Sequence, residues 1–295
     1  MNTTHKQTVG VVGAGTMGGG MARNLIKAGY PVAVCDLDRE KLDALAALGA
    51  STVATPAETV KTCPITIVSL PTSGTFINVA ESPDGLIAGI SEGKIVVDVG
   101  TTSAPETRRL AEIIHENGAD LIDAPVSGGG RGAEAGTLAV MVGGRDEAVD
   151  NCWPVFEVIG ENIVHFGGSG SGQLGKAVNQ IAMGVAEAAF LEAMLIGVKG
   201  GLDPEKLWAC LSTAGAAHTR FETTARSVIQ DSAASKDCKL RELPYFIEEA
   251  IAGDYHLPLT EAFHAFCKQS ENRTVDPLGI PTPSFWHELT HRSRI

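Results

Sequence analysis

The stretch Thr8–Asp36, TVGVVGAGTMGGGMARNLIKAGYPVAVCD, decides the fold. Thr8–Val12 is a short apolar run that leads into Gly13-Ala14-Gly15-Thr16-Met17-Gly18. Apolar Met17, Met21, Leu25 and Ile26 then recur at helical spacing until Gly29. Pro31–Cys35 reads as a second strand, closed by Asp36. The order is strand, glycine-rich turn, helix, strand, acid. Gly13 permits the tight turn, Gly15 lets backbone approach a pyrophosphate, and Gly18 lets the helix pack on the strand. Ala14, Thr16 and Met17 complete the turn and the helix N-terminus that faces the phosphates. Asp36 follows the first glycine at roughly the 20-residue distance expected of a dinucleotide fingerprint. Its carboxylate accepts hydrogen bonds from ribose hydroxyls and repels a 2′-phosphate. The next residue is Leu37 rather than arginine, so NAD is expected over NADP. Arg39 lies nearby and reads either as weakening that preference or as a solvated arginine at a helix start.

The alternation continues outward from this unit. Ile65–Leu70 and Ile95–Val99 are apolar runs of the parallel-strand type. Thr55-Pro56-Ala57-Glu58 and Ser103-Ala104-Pro105-Glu106 read as capping boxes with proline early in the helix. Leu70-Pro71 and Thr101-Thr102 therefore sit just past strand ends, where open α/β sheets bind ligands. Further on, Ser127-Gly128-Gly129-Gly130 reads as a loop that presents several amides to one anion, or as a flexible turn. Arg131 follows it, either reaching a second anionic group or solvated. Leu138–Val142 and Ile163–Phe166 read as two more strands, with a helix near Asp146–Phe156 between them. The α/β domain is expected to span residues 1–166, and Gly167–Gly172 is a glycine- and serine-rich joint.

Residues 167–295 read as helical, with low aromatic and β-branched content arguing against a second sheet. Gly172–Lys199 is proline-free and apolar on most sides, the mark of a long helix joining two domains. Lys176, Asn179 and Gln180 lie on one face of its first turns. A lysine and two amides among apolar neighbours need partners; on the helix alone the favoured reading is that Lys176 snorkels to solvent near the helix start and the amides bond neighbouring backbone. Asp203-Pro204-Glu205 starts another helix, and Lys236–Ala252 and Leu259–Lys268 read as further ones. The tail Glu271–Ile295, with three prolines, reads as a short helix plus coil.

Composition narrows the function. The chain has 295 residues, 44% hydrophobic and 20% charged, enough for two domains. A net charge of −12 argues against nucleic-acid partners and requires local positive potential for an anionic substrate. No apolar run reads as a membrane span. The six cysteines are scattered without a CxxC pair, so no metal or disulfide framework is expected and a reducing cytoplasm fits.

Four blocks together resemble the β-hydroxyacid dehydrogenase family, which includes 3-hydroxyisobutyrate dehydrogenase and tartronate semialdehyde reductase. They are Gly13–Asn24, Asp123–Leu138, Gly172–Gln180 and Lys236-Asp237. The resemblance implies an α/β Rossmann domain of mainly parallel sheet, then an all-α domain joined by the long interdomain helix, with the active site in the cleft where that helix begins. It implies Lys176 as the catalytic lysine, Ser127, Gly128 and Gly129 holding the substrate carboxylate, and Asn179 and Gln180 orienting the substrate. It implies Leu70, Pro71, Thr75, Thr101 and Lys236 as dinucleotide contacts. The expected reaction is hydride transfer between NAD and a small 3-hydroxy acid, with Lys176 as general acid and base, in a homodimer or homotetramer. Imine reductases share this architecture and generally lack the lysine; a non-catalytic dinucleotide-binding module should lose the lysine or the anion loop. A sugar-phosphate decarboxylating dehydrogenase would want a more basic pocket and a longer helical domain. Relatives often carry Ser-Trp where His218-Thr219 stand here, so the substrate stays open.

Overall fold

Nine strands build one sheet from the first half of the chain. The computed structural model describes residues 6–213, 219–230, 242–269, 274–275 and 281–282. His218, Lys236 and Asp237 fall outside the described residues. In chain order the elements are β1 (Val9–Val12), α1 (Thr16–Lys27), β2 (Val32–Cys35), α2 (Arg39–Ala46), β3 (Ser51–Thr52), α3 (Pro56–Thr62), β4 (Ile65–Val68), α4 (Ser73–Glu81), β5 (Ile95–Asp98) and α5 (Ala104–Glu116). They continue as β6 (Asp120–Asp123), β7 (Val126–Ser127), α6 (Gly129–Ala135), β8 (Leu138–Gly143), α7 (Asp146–Ile159), β9 (Gly160–Gly167) and α8 (Ser171–Lys199).

The sheet runs β3-β2-β1-β4-β5-β6-β8-β7, with β9 paired to β8. From β3 to β6 every pairing is parallel. β8 is antiparallel to β6 and β7 and parallel to β9. β1, β2, β4 and β5 are buried along their whole length because helices cover both faces. Alternate residues enter opposite cores. Val9, Val11, Ile65, Ile67 and Val97 pack with Met21 and Leu25 of α1, whereas Val12, Val68 and Val96 pack with Phe76 of α4 and Leu110 of α5. Each such burial stabilises by about 1.5–3 kcal/mol. The chain reverses strand order beside β1, and ligands of open α/β sheets bind at that switch point.

One of two capping expectations changes. Thr55 does cap α3, its hydroxyl accepting from the Glu58 N–H at 3.1 Å. Ser103 makes no capping bond with its side chain; its N–H donates to the Ser73 hydroxyl at 3.1 Å and it is buried there. Tertiary packing has taken the residue that the local pattern assigned to the helix.

The chain divides within α8 into two units, Met1–Lys176 and Ala177–Ile295, further along than the glycine-rich joint. In the second unit α8 is followed by α9 (Pro204–Leu211), α10 (Thr219–Ile229), α11 (Leu243–Ala252) and α12 (Pro258–Gln269). Leu191 and Met194 of α8 pack with Phe221, Phe246 and Phe263 from the later helices. Asp203 caps α9 through the N–H groups of Glu205 and Lys206. The second unit is not wholly helical: β10 (Thr274–Val275) and β11 (Pro281–Thr282) pair antiparallel. β-branched Thr274, Val275 and Thr282 flank a stretch with proline and glycine, which is hairpin chemistry that composition over the whole domain conceals. By length and composition α8 could also cross a membrane, contrary to the reading from short apolar runs. Its small and polar residues had masked its mean hydropathy. In the second unit the helix nonetheless puts Leu191 and Met194 into the core.

Candidate functional site

Three strand ends, of β1, β2 and β4, meet at the glycine turn. Gly13 has φ +90°, and a Cβ there would lie 2.2 Å from the Ser69 carbonyl oxygen, on the loop after β4. Gly18 in α1 packs just as closely: an added Cβ would lie 1.9 Å from the Gly13 oxygen. Gly15 is different, with nothing within 4 Å of its would-be Cβ. Two glycines therefore serve the protein's own packing, and the third leaves backbone open at the mouth of α1. Asp36 at the end of β2 accepts the N–H of Ala14 at 2.5 Å and that of Asp38 at 2.8 Å. Its carboxylate is thus tied to the turn. This arrangement fits a dinucleotide: open amides at a helix N-terminus for the phosphates, and a fixed carboxylate for the ribose.

Thr16 and Met17 form the first turn of α1. Leu70 and Pro71 occupy the loop after β4, where Leu70 approaches Gly13. Thr75 lies in the first turn of α4, its hydroxyl 2.7 Å from that of Thr72. Thr101 lies just past β5. Arg39 is spoken for by Asp43 at 3.0 Å, on its own helix. Leu37 is fully exposed beside Asp36.

The Ser-Gly-Gly-Gly segment is not a free loop. Ser127 ends β7, Gly128 (φ +134°) precedes the helix, and Gly129–Ala135 is α6. The first bond of α6 runs from the Gly132 N–H to the Gly128 oxygen at 3.2 Å, so the amides of Gly129, Gly130 and Arg131 point out of its first turn. α1 holds this helix in place. Arg23 forms a forked ion pair with Glu134, its Nη2 at 2.5 Å, and the Asn24 amide donates to the Ala133 oxygen at 2.8 Å. Sequence reading missed Arg23 and Glu134, which carry opposite charges in separate glycine-rich blocks.

Lys176 is 7% exposed, and its ammonium donates to the Val126 oxygen at 2.8 Å, adjacent to Ser127. The snorkelling alternative is excluded by that burial. Asn179 and Gln180 follow within one turn of α8 and belong to the second unit. Asn179 donates to the Gln180 side-chain oxygen at 3.4 Å, and the Gln180 amide nitrogen donates to the Glu242 carboxylate. Gln180 thus spends both ends of its amide on protein groups.

Behind these residues lies a buried polar cluster that periodicity does not reveal. Asp98, 1% exposed, accepts the Gly100 N–H at 2.9 Å and the Thr102 hydroxyl at 2.6 Å. Asp123, fully buried, accepts the N–H groups of Gly170 at 2.8 Å and Gln173 at 2.9 Å. Burial pushes both carboxyls up to about 6, against the pull of those hydrogen bonds. Their pKa in the unfolded chain is near the ordinary ~3.9, so the folded protein binds these protons more tightly. The stability they confer is full below the unfolded pKa and is lost as pH rises through about 6. Urea unfolding of the wild type and Asp98→Asn at pH 7.5 and pH 5 should show the wild type gaining about 1 kcal/mol relative to the variant at the lower pH. A difference that does not move with pH would contradict the assignment.

Comparison with known proteins supplies the chemical context. The family model described as the NAD binding domain of 6-phosphogluconate dehydrogenase matches residues 8–168. That described as NAD-binding of NADP-dependent 3-hydroxyisobutyrate dehydrogenase matches residues 170–276. The chain is 38% identical to a probable mitochondrial 3-hydroxyisobutyrate dehydrogenase of Dictyostelium discoideum, over 73% of this chain and 67% of that one. It is 33% identical to the 2-(hydroxymethyl)glutarate dehydrogenase of Eubacterium barkeri, over 85% of each. The Mycobacterium tuberculosis 3-hydroxyisobutyrate dehydrogenase structure with L-serine superposes with a TM-score of 0.83 at 25% identity, covering 96% of this chain and 99% of that chain. The Streptomyces aurantiacus imine reductase shares the fold alone, at 20% identity and a TM-score of 0.64 over 96% of this chain and 99% of that chain.

Proposed function

The chain belongs to the β-hydroxyacid dehydrogenase family, and from that premise we propose that it transfers hydride between NAD and a small 3-hydroxy acid, Lys176 moving the proton. A bound nicotinamide dinucleotide supplies the hydride acceptor. The observation that carries the reading is the buried Lys176 Nζ at 2.8 Å from the Val126 oxygen, one residue from Ser127. Ser127, Gly128 and Gly129 hold the substrate carboxylate through the serine hydroxyl and the outward amides of α6. Lys176 takes the hydroxyl proton in oxidation as the neutral amine, and as the ammonium it returns that proton in reduction. Asn179, on the same helical face as Lys176, orients the substrate, and Gln180 fixes Asn179. The glycine turn, Asp36, Leu70, Pro71, Thr75, Thr101 and Lys236 hold the dinucleotide.

NAD is preferred because Asp36 faces the ribose position and Arg39 is paired with Asp43 rather than left for a phosphate. Asp36→Ala should weaken NAD binding by roughly 10- to 100-fold, since hydrogen bonds to a charged group contribute about 1.5–3 kcal/mol. The same variant should narrow the NAD over NADP preference; titration with both dinucleotides checks this, and equal losses for both would count against the ribose role. A homodimer or homotetramer is proposed from α8, where Val178 and Ile196 are 71% and 78% exposed on an apolar helix. Light scattering in solution tests it. A cytoplasmic location is proposed with it, in keeping with the free thiols of Cys35, Cys63, Cys152, Cys210 and Cys267.

The test of function is initial-rate NAD and NADP reduction with 3-hydroxyisobutyrate, glycerate, serine and threonate, and the reverse reaction with tartronate semialdehyde. Turnover of one acid with NAD preferred supports the proposal. Dinucleotide binding without turnover of any acid in the panel would remove the substrate class.

A further inference from the structure

The long helix that carries Lys176 begins at Gly170-Ser171, with no side chain of its own at the capping position. Its start is supplied from elsewhere. Asp123, the last residue of β6, accepts the Gly170 and Gln173 N–H groups on its two carboxylate oxygens, at 2.8 and 2.9 Å. That satisfies N–H donors a helix start leaves open, and places a negative charge at the positive end of the helix dipole. Gln173 adds a second tie. Its side-chain oxygen accepts the Thr102 N–H at 3.0 Å, and its amide nitrogen donates to the Gly100 oxygen at 3.1 Å, both on the loop after β5.

The fit has no slack. A Cβ on Gly172 would lie 2.4 Å from the Met141 oxygen and 2.5 Å from the Asp123 oxygen. A Cβ on Gly143, the residue paired with Asp123 across the sheet, would lie 2.6 Å from the Gly172 nitrogen. The helix start is therefore pressed against β6 and β8. Gln173 and Lys176 are three residues apart on one helical face, and both are buried. Lys176 returns to the same segment, donating to the oxygen of Val126. The stretch Asp123–Ser127 thus fixes the helix at its first turn and the lysine one turn later, next to the proposed carboxylate-holding residues.

We propose that Asp123 and Gln173 are positioning residues that set where the Lys176 ammonium stands relative to Ser127–Gly129. The inference rests on the reading of Lys176 as the proton carrier. A displacement of about 1 Å in a catalytic group can cost on the order of 100-fold in rate, so two ties from two strands have a mechanistic purpose beyond helix stability. Asp123→Asn keeps the volume but turns a donor toward one of the N–H groups. Gln173→Met keeps the length and removes the side-chain bonds to Thr102 and Gly100, together with the 3.5 Å contact to the Asp98 carboxylate, while Asp123 itself is unchanged, so it stands in if Asp123→Asn does not fold.

The experiment compares kcat, KM, NAD affinity and the rate of reductive methylation of Lys176, read by peptide mass spectrometry on the full-length chain. Expected are a kcat lower by about 10- to 100-fold with KM and NAD affinity within about 3-fold, and several-fold faster Lys176 methylation. Methylation and kcat both within about 2-fold of wild type in Gln173→Met and in folded Asp123→Asn would overturn the proposal. So would a loss of kcat that tracks lost NAD affinity and lost helical circular dichroism while Lys176 methylation stays unchanged. If no hydroxy acid is turned over by the wild type, the methylation rate still decides whether these residues place the lysine, separately from the reaction reading.

Discussion

Lys176→Ala is expected to lower kcat for the preferred hydroxy acid by about 100- to 10,000-fold while NAD binds with near wild-type affinity. The size follows from the role. A positioned general acid and base contributes about that much, and alanine leaves nothing within reach of the hydroxyl proton. The dinucleotide turn lies at the ends of β1 and β4, and its hydrogen bonds involve Asp36, Ala14 and Ser69 rather than the lysine. Binding should therefore survive. Lys176→Arg should restore little, because a guanidinium does not give up its proton near neutral pH. Stopped-flow hydride transfer and a fluorescence titration with NAD separate the two quantities. Near-normal turnover in the alanine variant would sink the mechanism.

The second large effect concerns the glycine turn, where two substitutions of the same kind should fail for different reasons. Gly15→Ala should leave the urea unfolding midpoint almost unchanged, since its Cβ meets nothing within 4 Å. It should still lose NAD affinity by at least about 10-fold, because a methyl group stands where backbone must approach the pyrophosphate. Gly13→Ala should lose both. Its φ of +90° strains an L-residue by about 1–2 kcal/mol, and its Cβ meets the Ser69 backbone oxygen at 2.2 Å, which no side-chain rotation relieves. Calorimetric titration with NAD alongside unfolding curves reads this directly. A Gly15→Ala protein that binds NAD as tightly as wild type would show that the open amides at α1 do not cradle the phosphates.

Much of the site was legible because its logic is local. The glycine spacing, the acid at the end of β2 and the Lys176-Asn179-Gln180 face each follow from residues close in sequence. Thr55 capping α3 and Asp203 capping α9 are of the same kind. The misreadings share the opposite character. Gly129 and Gly130 enter a helix despite an intrinsic penalty of about 1 kcal/mol each. Contacts with α1 override it: a Cβ on Gly130 would lie 2.7 Å from the Thr16 side chain, and Arg23 and Asn24 hold the other end of α6. Ser103 stands at the start of α5 without the expected side-chain capping bond, and its N–H donates to Ser73 on a different helix.

The sequence by itself determined the alternation of strands and helices around the glycine turn, the spacing from that turn to Asp36, and the one helical face that Lys176, Asn179 and Gln180 share. Periodicity, backbone restriction at glycine and short spacings act over a few residues and need no knowledge of the rest of the chain. Only the tertiary structure decided what surrounds the lysine. Asp123 meets Gln173, and Gln173 meets Thr102, across 50 and 71 residues of chain. Lys176 finds the Val126 oxygen across 50. No pattern in the residues between them encodes those contacts. They form because buried amides and carboxylates must find partners, and the sheet brings these ones within reach.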